Sequence, residues 1–326
     1  MTSIIPSHPS HERIDSTKLT TYMECPRKYF WRFLLGLRSK NSEYDLLFGQ
    51  WYHEAMYHLI VNGYSANSVK QAAHIFNDLY QEEFGRLAPE EHALLNHKAK
   101  TPDNVARALT FYAARYGGEQ HSVIAAEVPG TVMVSIKPER YLHYICDALL
   151  VTKDGLLVRD YKTSGWGLDE NWALQWEISA QIGTYHHAGS LLAAEMKLPF
   201  LGVEVDGVCF RNPPKTRLDG KPYAGQKDVE FRRHLILRSA RSMSAWLDDT
   251  NQWYSRLEED KARLEADSAD NATMKAFPKN PTACSHFGLC RYHALCLSRH
   301  NPLQYNCTEP PVGFKQEFWD PTKKEK

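Results

Sequence analysis

Two groups of residues in this chain have types and spacings suited to chemistry. Asp160 and Lys162, in RDYKTS, stand two positions apart, and Asp147 lies thirteen positions before Asp160 in another apolar run. If both runs are strands, alternation puts Asp160 and Lys162 on one face and Tyr161 on the other. A hairpin turning at Lys153-Asp154-Gly155 then lays Asp147 alongside them, within a register step. Glu127, on a further strand candidate, adds a third carboxylate. Three acids repel one another without a counter-charge. A hard divalent ion, Mg2+ or Mn2+, resolves that conflict, because it takes oxygen ligands and leaves water positions open. Such a centre suits hydrolysis of a phosphodiester, with the Lys162 ammonium offsetting charge in the transition state. Asp and Lys also decorate ordinary solvated strands, but the apolar neighbours Ile145, Ala148, Leu149, Leu150, Leu156, Leu157 and Val158 argue for burial.

The second group is made of thiols. Cys25 near the start and Cys284, Cys290 and Cys296 near the end account for four of seven cysteines. An odd count, with three thiols in ACSHFGLCRYHALC, favours metal over disulfides in a reducing compartment. Four thiolates suit an iron–sulfur cluster or a tetrahedral Zn2+ equally by ligand chemistry. Either would staple the two ends of the chain together. His286 and His293 are alternative ligands, although turn contacts explain them as well.

Weaker signals accompany these groups. His53, in GQWYHEAMYH, sits on a predicted helix four positions after Gly49, where it could ligate a cation. His58, five positions on, points elsewhere. Gln181 and Tyr185, in QIGTY, share a helical face and could orient Lys162.

The elements that must hold these residues follow from hydrophobic periodicity. A polar leader at 1–16 precedes a helix beginning near Ser16, and helices are predicted over 46–60, 67–86 and 102–116. Strands are predicted over 122–136, 141–151, 156–162, 203–212 and 230–237, a long helix over 169–197, and a charged helix over 239–265. This gives an α/β expectation: a single domain over 17–300, with a helical part at 17–120, a core at 121–238, a helical and cysteine-rich closure at 239–300, and a tail at 301–326. The 326 residues suffice for a large core, and the composition, 43% hydrophobic and 24% charged, is that of a globular protein. Lys+Arg 39 balances Asp+Glu 39, so the chain has no general attraction to nucleic acid, although local basic surface is compatible with neutrality. Neither a signal-peptide core nor a long apolar run occurs, which predicts a cytoplasmic protein, in a host cytoplasm if phage-encoded, with no membrane partner.

Taken in order, Gly49–His53, Asp147, Asp160-Tyr161-Lys162 and Gln181–Tyr185 resemble the motifs of PD-(D/E)xK nucleases of the RecB-like branch. The resemblance implies a restriction-endonuclease-like mixed sheet flanked by helices. It implies that His53, Asp147 and Asp160 ligate metal, that Lys162 completes the catalytic centre, and that Gln181 and Tyr185 support substrate contacts. Glu127 has no assigned counterpart in that family and stays an additional candidate ligand. Cys25-Pro26-Arg27-Lys28-Tyr29 with the distant thiols resembles the [4Fe–4S] staple of AddB-type and CRISPR-associated exonucleases. There the last three cysteines are more often spaced C-x2-C-x5-C than C-x5-C-x5-C as here, so structural Zn2+ stays open. The implied activity is a metal-dependent deoxyribonuclease, an exonuclease on single strands or free ends, in repair, recombination or phage DNA processing. Endonuclease cutting stays open, as does a catalytically inactive DNA-binding or assembly subunit. The chain has no Walker A motif, so any helicase or recombination partner would be a separate protein. Arg27 and Tyr29, with Lys28, Trp31 and Arg32, are expected to meet DNA beside the first cluster ligand, as are Arg211, Lys215, Arg217 and Lys221 in a later loop.

Overall fold

The computed structural model describes residues 5–40, 44–87, 99–212, 228–285, 288–305 and 307–323. Its elements, in chain order, are α1 (Ser16–Glu24), α2 (Pro26–Tyr29), a π-helical turn (Phe30–Leu34), β1 (Leu37–Ser39), α3 (Tyr44–Asn62), α4 (Ala66–Phe84) and α5 (Pro102–Tyr116). Then come β2 (Ser122–Ile136), β3 (Glu139–Thr152), β4 (Gly155–Ser164), α6 (Glu170–Leu174), α7 (Ala180–Glu195), β5 (Phe200–Cys209), β6 (Glu230–Ile236), α8 (Ala240–Ala266), α9 (His293–Ser298) and β7 (Phe314–Gln316). The fold is α/β, with a mixed five-stranded sheet ordered β2-β3-β4-β5-β6. The chain clusters into two compact units: residues 1–42, 129–145 and 239–326 form one, and residues 43–128 and 146–238 the other.

In the second unit, β3 and β4 pair antiparallel from Ala148↔Arg159 down to Thr152↔Gly155. This is the hairpin that the Lys-Asp-Gly turn predicts. Gly155 takes φ 150°, and a Cβ there would lie 2.2 Å from the Pro199 carbonyl oxygen, so both the turn and the close approach require glycine. β4 then pairs parallel with β5, Asp160 opposite Val205 and Lys162 opposite Gly207, and β5 pairs antiparallel with β6.

The crossover from β4 to β5 runs through α6 and α7. The single helix expected over 169–197 is in fact broken at residues 175–179. Its physical reason is local. Asp169 caps α6 through the Trp172 amide, and Ser179 restarts a helix by accepting from the Ile182 amide at 3.5 Å. One face of the sheet packs on α3, α4 and α5 through Tyr161, Leu157, Ala148, Leu150, Phe48, Phe76 and Leu109. α7 contributes Gly189 beside Val158, and Gln181 meets Lys162, so Val158, Asp160 and Lys162 share the α7 face of β4.

In the first unit, α1 rests on α8, where the Tyr22 hydroxyl donates to Asp260 at 2.7 Å. β1 pairs with β7, and Arg13 ion-pairs with Asp320 at 2.6 Å, so residues from both ends of the chain meet. Tyr29 stacks on Phe277 with centroids 5.8 Å apart, and Arg27 donates to the Phe277 carbonyl at 2.9 Å.

Candidate metal centre and thiol group

The β3–β4 hairpin and α3 bring the acid–lysine residues together. Asp147, one step beyond the Ala148↔Arg159 pair, accepts from the Tyr161 amide at 2.6 Å, which fixes its carboxylate beside β4. His53 reaches the same place from α3. Gly49, one turn earlier on that helix, leaves room for a close approach, since a Cβ there would lie 3.7 Å from Thr163 Oγ1. The Tyr161 carbonyl lies 2.8 Å from His53 Nε2. A carbonyl only accepts, so Nε2 carries the proton and Nδ1 faces the acids. Nδ1 is 3.4 Å from Asp147 Oδ1 and 4.0 Å from Glu127 Oε1. Ligand atoms of His53, Glu127 and Asp147 all lie within 4.8 Å of one another, a spacing one cation could bridge.

Glu127 holds this position at φ 55°, a left-handed conformation uncommon outside glycine. Strain of this kind, of order 1 kcal/mol, collects at functional sites.

Asp160 is fully buried and sits beside rather than within that group of three. Lys162 Nζ donates to its Oδ1 at 2.9 Å and lies 2.7 Å from Oδ2, which is buried without a well-aligned hydrogen bond. The ammonium also donates to Gln181 Oε1 at 3.0 Å, and Gln181 Nε2 donates to the Tyr185 hydroxyl at 2.9 Å. Lys162 stands 5.4 Å from the Trp176 ring centroid, a neighbour that no motif announced.

Electrostatics match the geometry. Burial, aided by Asp147, pushes the Asp160 carboxyl up to about 6 despite Lys162. Burial opposes charge on His53, but Asp147 outweighs it and raises the imidazole to about 9. Burial likewise opposes ionisation of Asp147, yet His53 and Lys162 hold that carboxyl below its ordinary value. The carboxylates thus attract a proton onto the nitrogen through which His53 would hold a cation. A buried acid oxygen beside the Lys162 ammonium, a strained glutamate and an imidazole whose Nε2–H is held by a carbonyl form a donor set that fits a hard divalent ion.

The thiols belong to the first unit. Cys25 Sγ accepts from the Asn280 amide and Cys296 Sγ from Trp31 Nε1, both at 3.4 Å. The Cys290 amide donates to the Cys284 carbonyl at 2.8 Å. Burial raises the Cys290 and Cys296 thiols; neighbouring Cys25 raises both further, and Cys284 also acts on Cys290. One amide and one indole are directed at sulfur, but no three of the four thiols lie within a metal-sized spacing of one another, the one such group among the described residues being His53, Glu127 and Asp147.

Burial corrects the expectation that residues beside Cys25 meet DNA. Arg27 and Tyr29 do not face DNA: they are 2% and 0% exposed. The Arg27 side chain is held inward by the carbonyls of Phe277 and Met274, burial lowering its guanidinium, while the Tyr29 ring completes an aromatic stack. Trp31 is buried too, as is Tyr185, which therefore supports Gln181 without reaching substrate. Arg211 pairs with Glu230 at 3.4 Å, whereas Lys215, Arg217, Lys221 and His286 lie outside the described residues.

A buried acid–lysine pair on a strand hairpin thus adjoins a His/Glu/Asp donor group, an arrangement with catalytic potential. The PD-(D/E)XK nuclease superfamily matches residues 15–297, and the chain belongs to that family. Among curated proteins none matches the chain. Of solved structures, the chain is similar to one titled "Crystal structure of SSO0001", at 12% identity and a TM-score of 0.31, covering 76% of this chain and 78% of that one. No helix among the described residues is long and apolar enough to cross a membrane.

Proposed function

We propose that the protein is a divalent-metal-dependent deoxyribonuclease of the RecB-like branch, acting as an exonuclease from DNA ends. One observation carries this reading: Lys162 is clamped by Asp160 and Gln181 at 2.9 and 3.0 Å, on the hairpin that sets Asp147 against His53. Asp147, Glu127 and His53 would hold Mg2+ or Mn2+, with Asp160 joining through its unaligned oxygen. Held there, the cation would polarise the scissile phosphate and lower the pKa of water. The chain's own residues do the rest. The Tyr161 carbonyl and amide fix His53 and Asp147. Asp160 and Gln181 engage two of the three Lys162 protons, leaving one to meet a nonbridging phosphate oxygen. The preference for ends rests on the resemblance of the motif set to exonucleases, and a helicase or recombination partner is compatible with it.

Cys25, Cys284, Cys290 and Cys296 would hold a [4Fe–4S] cluster that ties residue 25 to the 280–296 segment, with buried Arg27 as its counter-charge. The resemblance favours the cluster over zinc, and the Asn280 and Trp31 donors to sulfur are what a cluster's thiolates use.

The test is cleavage of DNA labelled at either end, in Mg2+ or Mn2+, by the wild type and by Asp160→Ala. Processive shortening by the wild type, reduced at least about a thousandfold in the variant, is expected for loss of a catalytic group. Equal and negligible cleavage by both would instead make the chain an inactive DNA-binding subunit.

A further inference from the structure

Beyond the end of β4, the chain makes a feature that the catalytic motifs do not use. Ser164 closes a turn by accepting from the Trp166 amide at 3.2 Å and donating to the Gly167 carbonyl at 3.0 Å. Gly167 at φ 118° lets the chain reverse. The turn presents Trp166 with 90% of its surface exposed, an unusual position for an indole. Trp166, Trp172 and Trp176, with Thr163, Ser164 and Gln175, line one cleft of about 680 Å³.

The floor of this cleft is built rather than loose. Trp172 rests on β5 so closely that a Cβ on Gly207 would lie 2.3 Å from its ring. Trp176 meets Trp172 edge-on, with centroids 6.1 Å apart, and its own ring lies 5.4 Å from Lys162 Nζ. Trp176 thus joins the cleft to the lysine of the candidate centre, which does not itself line it, and Trp166 stands four residues on from that lysine, at most about 14 Å along the chain. A guanidinium flanks the turn, since a Cβ on Gly167 would lie 3.5 Å from that of Arg211, which also pairs with Glu230 at 3.4 Å. The carboxylates on its rim are committed, Asp45 to Lys100 at 2.6 Å and Asp169 to the Trp172 amide at 2.9 Å.

An exposed indole beside the Arg211 guanidinium, on a turn four residues from the lysine of the proposed centre, has the chemistry of a base-stacking platform. Bases within a duplex offer only their edges, whereas a splayed base offers its whole face to an aromatic ring. From this geometry we infer that Trp166 stacks on an unpaired nucleobase and that the cleft from Trp166 to Trp176 guides a single DNA strand to Lys162. The inference rests on the nuclease reading and deepens it, by naming a DNA strand with unpaired bases as substrate.

The experiment is fluorescence anisotropy of a labelled single-stranded oligonucleotide and of a blunt duplex, titrated with full-length wild type, Trp166→Ala and Trp166→Phe in EDTA. Cleavage kinetics in Mg2+ or Mn2+ run alongside. Trp166→Ala is expected to weaken single-strand binding about 5- to 150-fold and to raise KM with kcat nearly unchanged, while Trp166→Phe retains most of the affinity. Duplex affinity should change little. Unchanged single-strand affinity in Trp166→Ala overturns the inference, as does a wild type that binds no single strand. So does a variant whose only defect is lost self-association, which would make Trp166 a protein contact. Trp166-dependent binding by a wild type that never cleaves would sink the nuclease reading and leave the platform standing.

Discussion

Gln181 offers a sharp test of the site because it touches the lysine and no acid. Its side chain accepts from Lys162 at 3.0 Å and donates to Tyr185 at 2.9 Å, so it aims the ammonium. Gln181→Ala leaves Asp160 to hold a cation whose side chain is only 19% exposed. A hydrogen bond to a charged group is worth about 1.5–3 kcal/mol. If most of that orients Lys162 in the transition state, kcat falls roughly 10- to 100-fold. KM should move much less, because the ground-state phosphate is held by other groups. The assay is single-turnover cleavage of end-labelled single-stranded DNA at saturating Mn2+, with circular dichroism as the check on folding. A double-mutant cycle sharpens it: in a Lys162→Ala background, Gln181→Ala should cost no more than about twofold, because there is no ammonium left to aim. Fully additive losses, or a kcat within twofold of wild type for Gln181→Ala alone, would refute the positioning argument.

Other outcomes follow from the same geometry. Tyr185→Phe removes the anchor behind Gln181 and should lower kcat roughly two- to tenfold in the same assay. Glu127→Gly relieves both a left-handed backbone and a carboxylate crowded against Asp147. It should raise Tm while weakening Mn2+ binding in calorimetry without DNA. Anaerobically purified protein should contain iron and acid-labile sulfide and absorb in the visible, and Cys25→Ser should lose both; zinc without visible absorbance would overturn the cluster. His186 accepts from the Arg238 amide at 3.0 Å, and burial, with Arg238 and His187 nearby, lowers its imidazole to about 4. Since the unfolded imidazole titrates near 6.5, stability should be complete above that pH and decline as pH falls towards about 4. His186→Gln should flatten that decline in urea midpoints.

How much the amino-acid order revealed depends on the range of the interaction that fixes each element. The hairpin was legible because a Lys-Asp-Gly turn between two apolar runs leaves few alternatives, and it delivered Asp147 to Asp160 and Lys162. The break at 175–179 was legible in principle, since Ser179 is a good cap, but an unbroken apolar pattern on both sides masked it. Arg27 and Tyr29 misled because both side chains serve equally in water and in a core. Only the fold shows that Phe277 claims both. Glu127's backbone strain and the placement of Trp176 over Lys162 are tertiary outcomes with no local signature.

The division of labour between the two groups can itself be tested. All four thiols fall in the unit made of residues 1–42, 129–145 and 239–326, and every residue of the acid–lysine centre falls in the other. Asp147 stands two residues past the boundary, yet what fixes it comes from its own side: the Tyr161 amide, and a hairpin register running from Ala148 to Thr152. His53 is anchored by the Tyr161 carbonyl and Lys162 by Gln181, again within that unit. Loss of the proposed thiol-held group should therefore leave the proposed cation site intact. Cys25→Ser is expected to bind Mn2+ within about twofold of wild type while its Tm falls, a drop of order 2 kcal/mol if the group restrains the chain as a long-range cross-link does. Abolished Mn2+ binding in that variant, with the circular dichroism of the wild type, would mean that the hairpin does not set Asp147 by itself.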